Sequence, residues 1–176
     1  MRTFTLAVVM VLSGAAAGRL QAQGAAAGTV ELAARELAPG KAFSVQPPQD
    51  WKVTKVDAES AIAAARGDGL NFKARHIGAG LTMGQFIDAS MNALKAKYPD
   101  FKIFSKTPFT TKSGIKGQEV AMQHSTQNGT QVRQIMFFLE GKANGLIFMA
   151  CGVRADLFTP EIAALARTVA STIAEE

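Results

Sequence analysis

The sequence has 176 residues, a formal net charge of +5 and one cysteine. That length suits a single domain with a sizeable core, and one cysteine excludes an internal disulfide framework. The positive charge is mild, so it does not by itself require nucleic acid or another anionic partner.

Residues 1–22 have the pattern of a secretory signal peptide. Arg2 precedes an apolar run from Phe4 to Leu12, and small residues follow up to Ala17. The run is too short to span the roughly 30 Å of a bilayer's hydrocarbon core. We therefore expect cleavage after Ala17 or, as we favour, Ala22, giving a periplasmic or secreted protein with no stable membrane anchor.

Residues 23–40 are rich in alanine and glycine and predict a weakly ordered lead-in, in which Thr29–Leu37 favours a short helix. A single α+β domain is expected over residues 41–176. It opens with a strand over Ala42–Val45 and a proline turn, and a second strand begins at Trp51.

The next segments predict a hairpin and then a helix. Ser60–Arg66 is rich in alanine, which favours a helix, but we interpret it and Leu70–Arg75 as two strands around a glycine-rich turn. The helix is expected over Thr82–Tyr98, because Thr82 and Gln85 form a capping-box pattern at its start. A strand over Phe101–Thr107 follows it.

Two Asn-Gly pairs organise the second half of the chain. They predict tight turns between three antiparallel strands over residues 118–127, 130–140 and 145–153. If Asn128-Gly129 is a two-residue loop, His124 lies directly opposite Arg133, and both share a face with Phe137. The loop of the second hairpin is either Asn144-Gly145 alone or Gly141 to Asn144, and with both loops Phe148 joins the same face.

The closing segment predicts a helix over Thr159–Ala174. Thr159 suits the N-cap, Pro160 the first helical position and Glu161 the positive end of the helix dipole. Its apolar residues recur at helical spacing, so one side of this helix is expected to belong to the core.

This order of elements resembles the PsbP-like fold, which extrinsic photosystem proteins, a yeast Ran-release factor and DcrB-type periplasmic proteins share. The resemblance is carried by Phe43-Ser44-Val45 with Pro47 and Trp51, the Thr82 helix, the meander from Gly117 to Val153 and the closing helix. It covers residues 41–174. It implies a central antiparallel sheet with helices packed on both faces, an α/β/α sandwich, and binding or accessory roles more often than catalysis. The family has no common site, so no residue carries over.

Motifs for catalysis or metal binding are not evident. The two histidines, His76 and His124, have no metal-ligand spacing, and there is no CxxC pair, nucleophile elbow or phosphate-binding loop. We therefore expect no metal, no cofactor and no catalytic residue. Cys151 lies among apolar residues and is expected to be a buried free thiol.

Three residues are candidates for binding a ligand. His124 and Arg133 form the polar pair on a predicted apolar face, with a sheet end that emerges into solvent as the alternative. Trp51 is the only tryptophan, and its alternative role is a core position.

A run of lysines favours a solvated surface, with an anionic docking patch as the alternative. Two of them are about 200° apart on a helix, which disperses the charge. The run comprises Lys95, Lys97, Lys102, Lys106, Lys112 and Lys116.

The leading hypothesis is an exported, non-enzymatic binding or accessory protein of the cell envelope. Its partner is expected to be a protein or small molecule there, and not a nucleic acid. The alternatives are a small exported enzyme, hydrolase-like, with an unrecognised site, and a basic protein that docks on a surface.

Overall fold

The computed structural model describes residues 30–57, 61–78, 80–141 and 145–176. The predicted signal peptide and residues 23–29 of the lead-in lie outside these residues. Within the described ranges, no helix is long and apolar enough to cross a membrane. The strands and helices are β1 Glu36–Leu37, β2 Phe43–Val45, β3 Lys52–Val56, β4 Ala61–Ala65, β5 Asn71–Gly78, α1 Met83–Lys97, β6 Lys102–Thr110, β7 Lys116–Ser125, β8 Gln131–Glu140, β9 Leu146–Arg154, α2 Pro160–Ser171 and β10 Ala174–Glu175.

Seven strands form one antiparallel sheet in the order β3-β4-β5-β9-β8-β7-β6. Strands β1, β2 and β10 form a separate small sheet. The predicted hairpin of β4 and β5 and the predicted meander of β7, β8 and β9 are both present. The fold is therefore mixed α+β with a large antiparallel sheet, as the sequence predicted.

Three hairpins of the large sheet close with the same three-residue loop. In each, the residue before the loop donates its N–H to the carbonyl of the residue after it, and the third loop residue is a glycine with positive φ. This is the geometry of a type I turn followed by a left-handed residue, which glycine adopts without a Cβ clash. The closing pairs and glycines are Arg66, Leu70 and Gly69 (φ 88°), Thr111, Ile115 and Gly114 (φ 87°), and Thr126, Thr130 and Gly129 (φ 81°).

The loop at Asn128-Gly129 therefore has three residues, not the two that were predicted. The Asn128 Oδ1 atom accepts hydrogen bonds from the Thr126 hydroxyl and, at 3.4 Å, from the Thr130 N–H. These bonds hold residues on either side of Asn128, and they are the local reason that the longer loop forms here.

The extra loop residue shifts the register of β7 against β8 by one. His124 lies opposite Val132, and Arg133 lies opposite Gln123. A one-residue shift moves a side chain to the other face of the sheet. The predicted pairing of His124 with Arg133 is therefore wrong, and the two side chains belong to opposite faces.

We name the two faces of the sheet after adjacent residues of β8, the Phe137 face and the Phe138 face. Phe148 of β9 lies opposite Phe138, so its predicted place on the Phe137 face is also wrong. The Gly141 N–H bonds to the Gly145 carbonyl. The intervening loop is again longer by one residue than an Asn-Gly turn requires, and its residues 142–144 lie outside the described chain.

Helix α1 begins as its capping box predicted. The Thr82 hydroxyl accepts from the Gln85 N–H at 3.2 Å, and the Gln85 side chain accepts from the Thr82 N–H at 3.0 Å. Its buried side includes Phe86, Met91 and Leu94, which recur at helical spacing.

Helix α2 also begins as predicted, with Thr159 accepting from the Ile162 N–H at 3.4 Å. It ends at Ser171 and not at Ala174. The chain then turns to form β10, which pairs with β2. Pairing with a strand satisfies the backbone here in place of a further helical turn.

The helix predicted for residues 29–37 does not form over the described residues. Leu32 makes an isolated bridge with Pro48, and β1 pairs with β2. Arg35 donates to the Ser44 hydroxyl at 2.9 Å and to the Thr172 carbonyl at 2.8 Å. These contacts with distant parts of the chain override the local preference of an alanine-rich segment for helix.

Buried apolar side chains form two separate clusters. The first joins Phe137 and Leu139 of β8 to Leu165 and Val169 of α2, together with the small sheet. The second joins Met136 and Phe138 of β8 to Phe86 and Leu94 of α1.

Candidate functional site

The structure separates the three residues that the sequence grouped as ligand-binding candidates. Trp51 directly precedes β3, the strand at one edge of the large sheet. Three strands lie between β3 and β8, the strand that contains Arg133. Its side chain is buried, and its ring lies 5.9 Å from that of Phe72. It therefore contributes to the core cluster of the Phe137 face and lies far across the sheet from Arg133.

His124 lies on the Phe138 face and is completely buried. Its ring stacks on Tyr98, just beyond α1, with centroids 4.2 Å apart and an angle of 25°. Its Nδ1 lies 3.1 Å from the Ser125 carbonyl, whereas Nε2 has no hydrogen-bond partner. The imidazole therefore lies within the packed interior.

Asp100 completes the polar surroundings of this strand end. Its carboxylate accepts from the Ser125 N–H at 3.0 Å and from the Ser125 hydroxyl at 2.6 Å. These hydrogen bonds hold the pKa of Asp100 below its ordinary value. The Asp100 carboxylate thus stabilises the end of β7 through Ser125.

Gln134 is a polar residue of the Phe138 face that the sequence did not single out. Its side chain covers Gly152 of β9: a Cβ added there would lie 2.9 Å from Gln134 Cγ. The Gln134 Oε1 atom is buried with no hydrogen-bond partner. Gln134 and His124 are diagonal neighbours on adjacent strands, since His124 pairs with Val132.

Arg133 lies on the Phe137 face, where two phenyl rings contact its guanidinium. Its Cζ is 4.4 Å from the centroid of Phe104 and 4.7 Å from that of Phe158. Phe104 comes from β6 at the edge of the sheet, and Phe158 precedes the N-cap of α2. We call these three residues the Arg133 clamp.

Among the described residues, the Arg133 guanidinium has no acceptor. Its Nε is buried and unpartnered, and no hydrogen bond or ion pair joins it to another described residue. By contrast, four other arginines each bind protein oxygens: Arg35, Arg66, Arg154 and Arg167. A buried donor left unsatisfied costs about 1–3 kcal/mol, and the Nη groups, which are not among the buried unpartnered atoms, are the donors that an acceptor from outside the chain can reach.

Phe104 reaches the clamp because of a bulge in β6. Ile103 lies opposite Met122, and Ser105 lies opposite the next residue of β7, Ala121, so Phe104 is the extra residue. Bulges are invisible to a strict two-residue alternation. Phe104 and Phe158 therefore have no local signal in the sequence, whereas Arg133 stands out as a charged residue in an apolar strand.

The six clustered lysines are all exposed and lie on different elements, in α1, β6, the following loop and β7. Among the described residues, no group of three or more metal-ligating side chains is close enough to hold a metal ion. The Arg133 clamp is thus the arrangement in the described chain best suited to bind another molecule.

No protein-family model matches the sequence, and no curated protein matches it either. Solved structures do match. Cyanobacterial PsbP (CyanoP) from Synechocystis aligns with 90% of this chain and 100% of its own, with a TM-score of 0.58 and 14% identity. LpqN of Mycobacterium tuberculosis, described as involved in cell envelope biogenesis, aligns over 74% of this chain and 81% of its own, with a TM-score of 0.53 and 13% identity.

A third match is a protein from Bacteroides thetaiotaomicron, with a TM-score of 0.53 and 14% identity. The alignment covers 81% of this chain but only 48% of the Bacteroides chain. Likenesses at these identities concern the fold alone. The chain therefore has a PsbP-like fold, as its order of elements predicted.

Proposed function

We propose that this chain is an exported, non-enzymatic binding or accessory protein of the cell envelope. The observation that carries the proposal is the PsbP-like fold, shared with LpqN, which is described as involved in cell envelope biogenesis, and with cyanobacterial PsbP. In this proposal the partner is a protein or small molecule of the envelope, and neither nucleic acid nor a membrane anchor is involved.

The proposal includes the layer arrangement expected of this fold, with α1 on the Phe138 face and α2 on the Phe137 face. The two apolar clusters support it, because α1 packs with the even-numbered residues of β8 and α2 with the odd-numbered ones. Alternate residues of a strand point to opposite faces. An α/β/α sandwich of this kind leaves sheet edges and strand ends as the surfaces available to a partner.

Export is supported by the signal-peptide pattern of residues 1–22, and cell fractionation of the full chain tests it. We expect the protein in the periplasm or medium, with its N-terminus near Gln23. A Val9→Arg variant, which interrupts the apolar run, should stay in the cytosol with Met1 intact. A wild-type chain that keeps residues 1–22 and remains cytosolic would disprove the proposal.

A further inference from the structure

The Arg133 clamp combines a cation without an acceptor and exposed apolar surface. A guanidinium stacked on aromatic rings keeps its planar set of donors, which matches a carboxylate in two-point geometry. Phenyl rings bind the cation through their faces but cannot accept its N–H groups as a carboxylate does. An anionic acceptor is therefore the complement that the clamp lacks.

Exposed apolar surface adjoins this cation. Phe104, in the clamp, is 49% exposed, and Leu157, next in sequence to Phe158, is 41% exposed. Exposed apolar groups around an arginine are typical of the energetic centre of a protein–protein interface. The surroundings therefore favour an anion that is carried on an apolar body.

The clamp also adjoins an open edge. Strand β6 is the last strand of the large sheet and pairs with β7 alone among the described strands. Lys102, Lys106, Pro108 and the bulge at Phe104 protect this edge against continuous strand pairing. A partner here would thus bind mainly through side chains, over an open surface that suits a protein segment more than a small ligand.

We propose that the Arg133 clamp binds a carboxylate on a segment of a partner protein, where the acidic residue is flanked by apolar side chains. The carboxylate pairs with the Arg133 guanidinium, and the flanking side chains cover Phe104 and Leu157. This inference rests on the proposed function and deepens it, because it names the chemistry by which the partner is recognised.

An array of capped pentapeptides tests the inference with the protein purified from the compartment in which it accumulates. Each peptide has a central glutamate or glutamine, and the four flanking positions are varied among serine, leucine and phenylalanine. We expect saturable binding below about 1 mM for glutamate peptides with apolar flanks. The glutamine counterparts should bind at least about tenfold more weakly.

Two substitutions show whether the clamp is responsible. Arg133→Gln should abolish the preference for glutamate, and Arg133→Lys should weaken it at least about fivefold, because an ammonium lacks the planar pair of donors. Arg154→Gln is the matched control, since Arg154 already binds Asp156 at the surface, and it should leave binding unchanged. If Arg133→Gln lowers the melting temperature markedly, the lysine variant carries the comparison.

The Arg133 Nε–H signal in ¹⁵N NMR reports on the guanidinium that the carboxylate contacts, and it should shift on addition of the best peptide. Hexanoate and vesicles containing an anionic phospholipid are the other arms of the test. Binding of either that depends on Arg133 and equals the peptide's would overturn the inference in favour of a free amphiphile or a lipid surface. Arg133-dependent dimerisation would favour a second copy of the chain, and it would overturn the inference too.

Absence of saturable peptide binding, or binding that persists in Arg133→Gln, would also overturn the inference. Neither result affects export, which fractionation measures independently of Arg133. Conversely, an uncleaved chain in the cytosol would disprove the proposed function, whatever the result of the peptide-binding experiment. The two failures are therefore distinguishable.

Discussion

Arg167 of α2 grips Glu119 of β7 with two hydrogen bonds, of 2.8 Å from Nε and 2.7 Å from Nη2. The Glu119 side chain is only 4% exposed, whereas that of Arg167 is 51% exposed. The hydrogen bond to Glu119 raises the pKa of Arg167 above its ordinary value. Helix and sheet are thus joined by a pair that satisfies a buried carboxylate.

Removing the arginine of this pair should destabilise the fold. We expect Arg167→Met to lower the free energy of unfolding by about 1–3 kcal/mol in urea titrations, because Glu119 loses its partner while buried. This loss is smaller than the loss expected for a fully buried ion pair, because the Arg167 side chain is half exposed to solvent.

Arg154→Met is the matched control for Arg167→Met. Its partner Asp156 and the arginine itself are 58% and 62% exposed, so we expect a loss of about 0–0.5 kcal/mol. Equal losses of unfolding free energy in the two variants would show that burial of Glu119 does not determine how much its ion pair stabilises the fold.

The loop geometry behind the register of β7 and β8 is testable at its glycine. Gly129→Ala places a Cβ on a residue with φ of 81°, so we expect a loss of about 1–2 kcal/mol in unfolding free energy. Gly67→Ala is the control, because Gly67 occupies the first position of the equivalent loop before β5, lacks positive φ and has open space around its Cα. It should be neutral or stabilising by up to about 1 kcal/mol. Equal effects would contradict the loop assignment.

Most element types and their order could be predicted from the sequence because they depend on local signals, whereas the helix expected over residues 29–37 was overridden by distant contacts. The capping pairs at Thr82 and Thr159 and the alternation of apolar residues are readable within a few residues. Register could not be predicted, since an Asn-Gly pair fits a two-residue loop and a three-residue loop equally well. At Asn128 the choice depended on hydrogen bonds across the loop, and one extra loop residue moved His124 to the other face.

The candidate site was predicted only in part, for a related reason. Arg133 was recognised as a charged residue in an apolar strand, but its real neighbours come from β6 and from the segment before α2. These elements are distant in sequence, and one of them reaches the site through a bulge. Trp51 is buried, which agrees with its alternative role as a core residue. His124 is also buried, so the alternative in which its strand end emerges into solvent is wrong.

The surroundings of His124 predict that phenylalanine can replace it at little cost in stability, whereas alanine cannot. Phenylalanine keeps the flat ring that stacks on Tyr98 and removes the unpartnered Nε2, so His124→Phe should change the free energy of unfolding by less than about 1 kcal/mol. His124→Ala leaves a cavity and should cost about 2–4 kcal/mol. A phenylalanine variant as unstable as the alanine variant would mean that the ring nitrogens, and not the stacking, hold this residue.

Burial of the Cys151 thiol predicts that the free energy of unfolding depends on pH in the alkaline range. Burial raises the pKa of Cys151 from an ordinary 9.0 to about 12, so the native thiol stays protonated where the unfolded thiol ionises. Between pH 9 and 12 the unfolded chain binds fewer protons than the native one, so this contribution to stability falls as pH rises.

The unfolding free energy of the wild type, relative to Cys151→Ala, should therefore fall by about 1.4 kcal/mol between pH 8 and pH 10. Below pH 8 the difference should be constant, because the thiol is then protonated in both states. Urea titrations at each pH measure it. Adding Thr107→Cys to the alanine variant is the control: an exposed thiol on β6 titrates alike in both states and should contribute no pH dependence. A wild-type difference that stays constant up to pH 10 would show that Cys151 ionises as readily in the folded protein as in the unfolded chain.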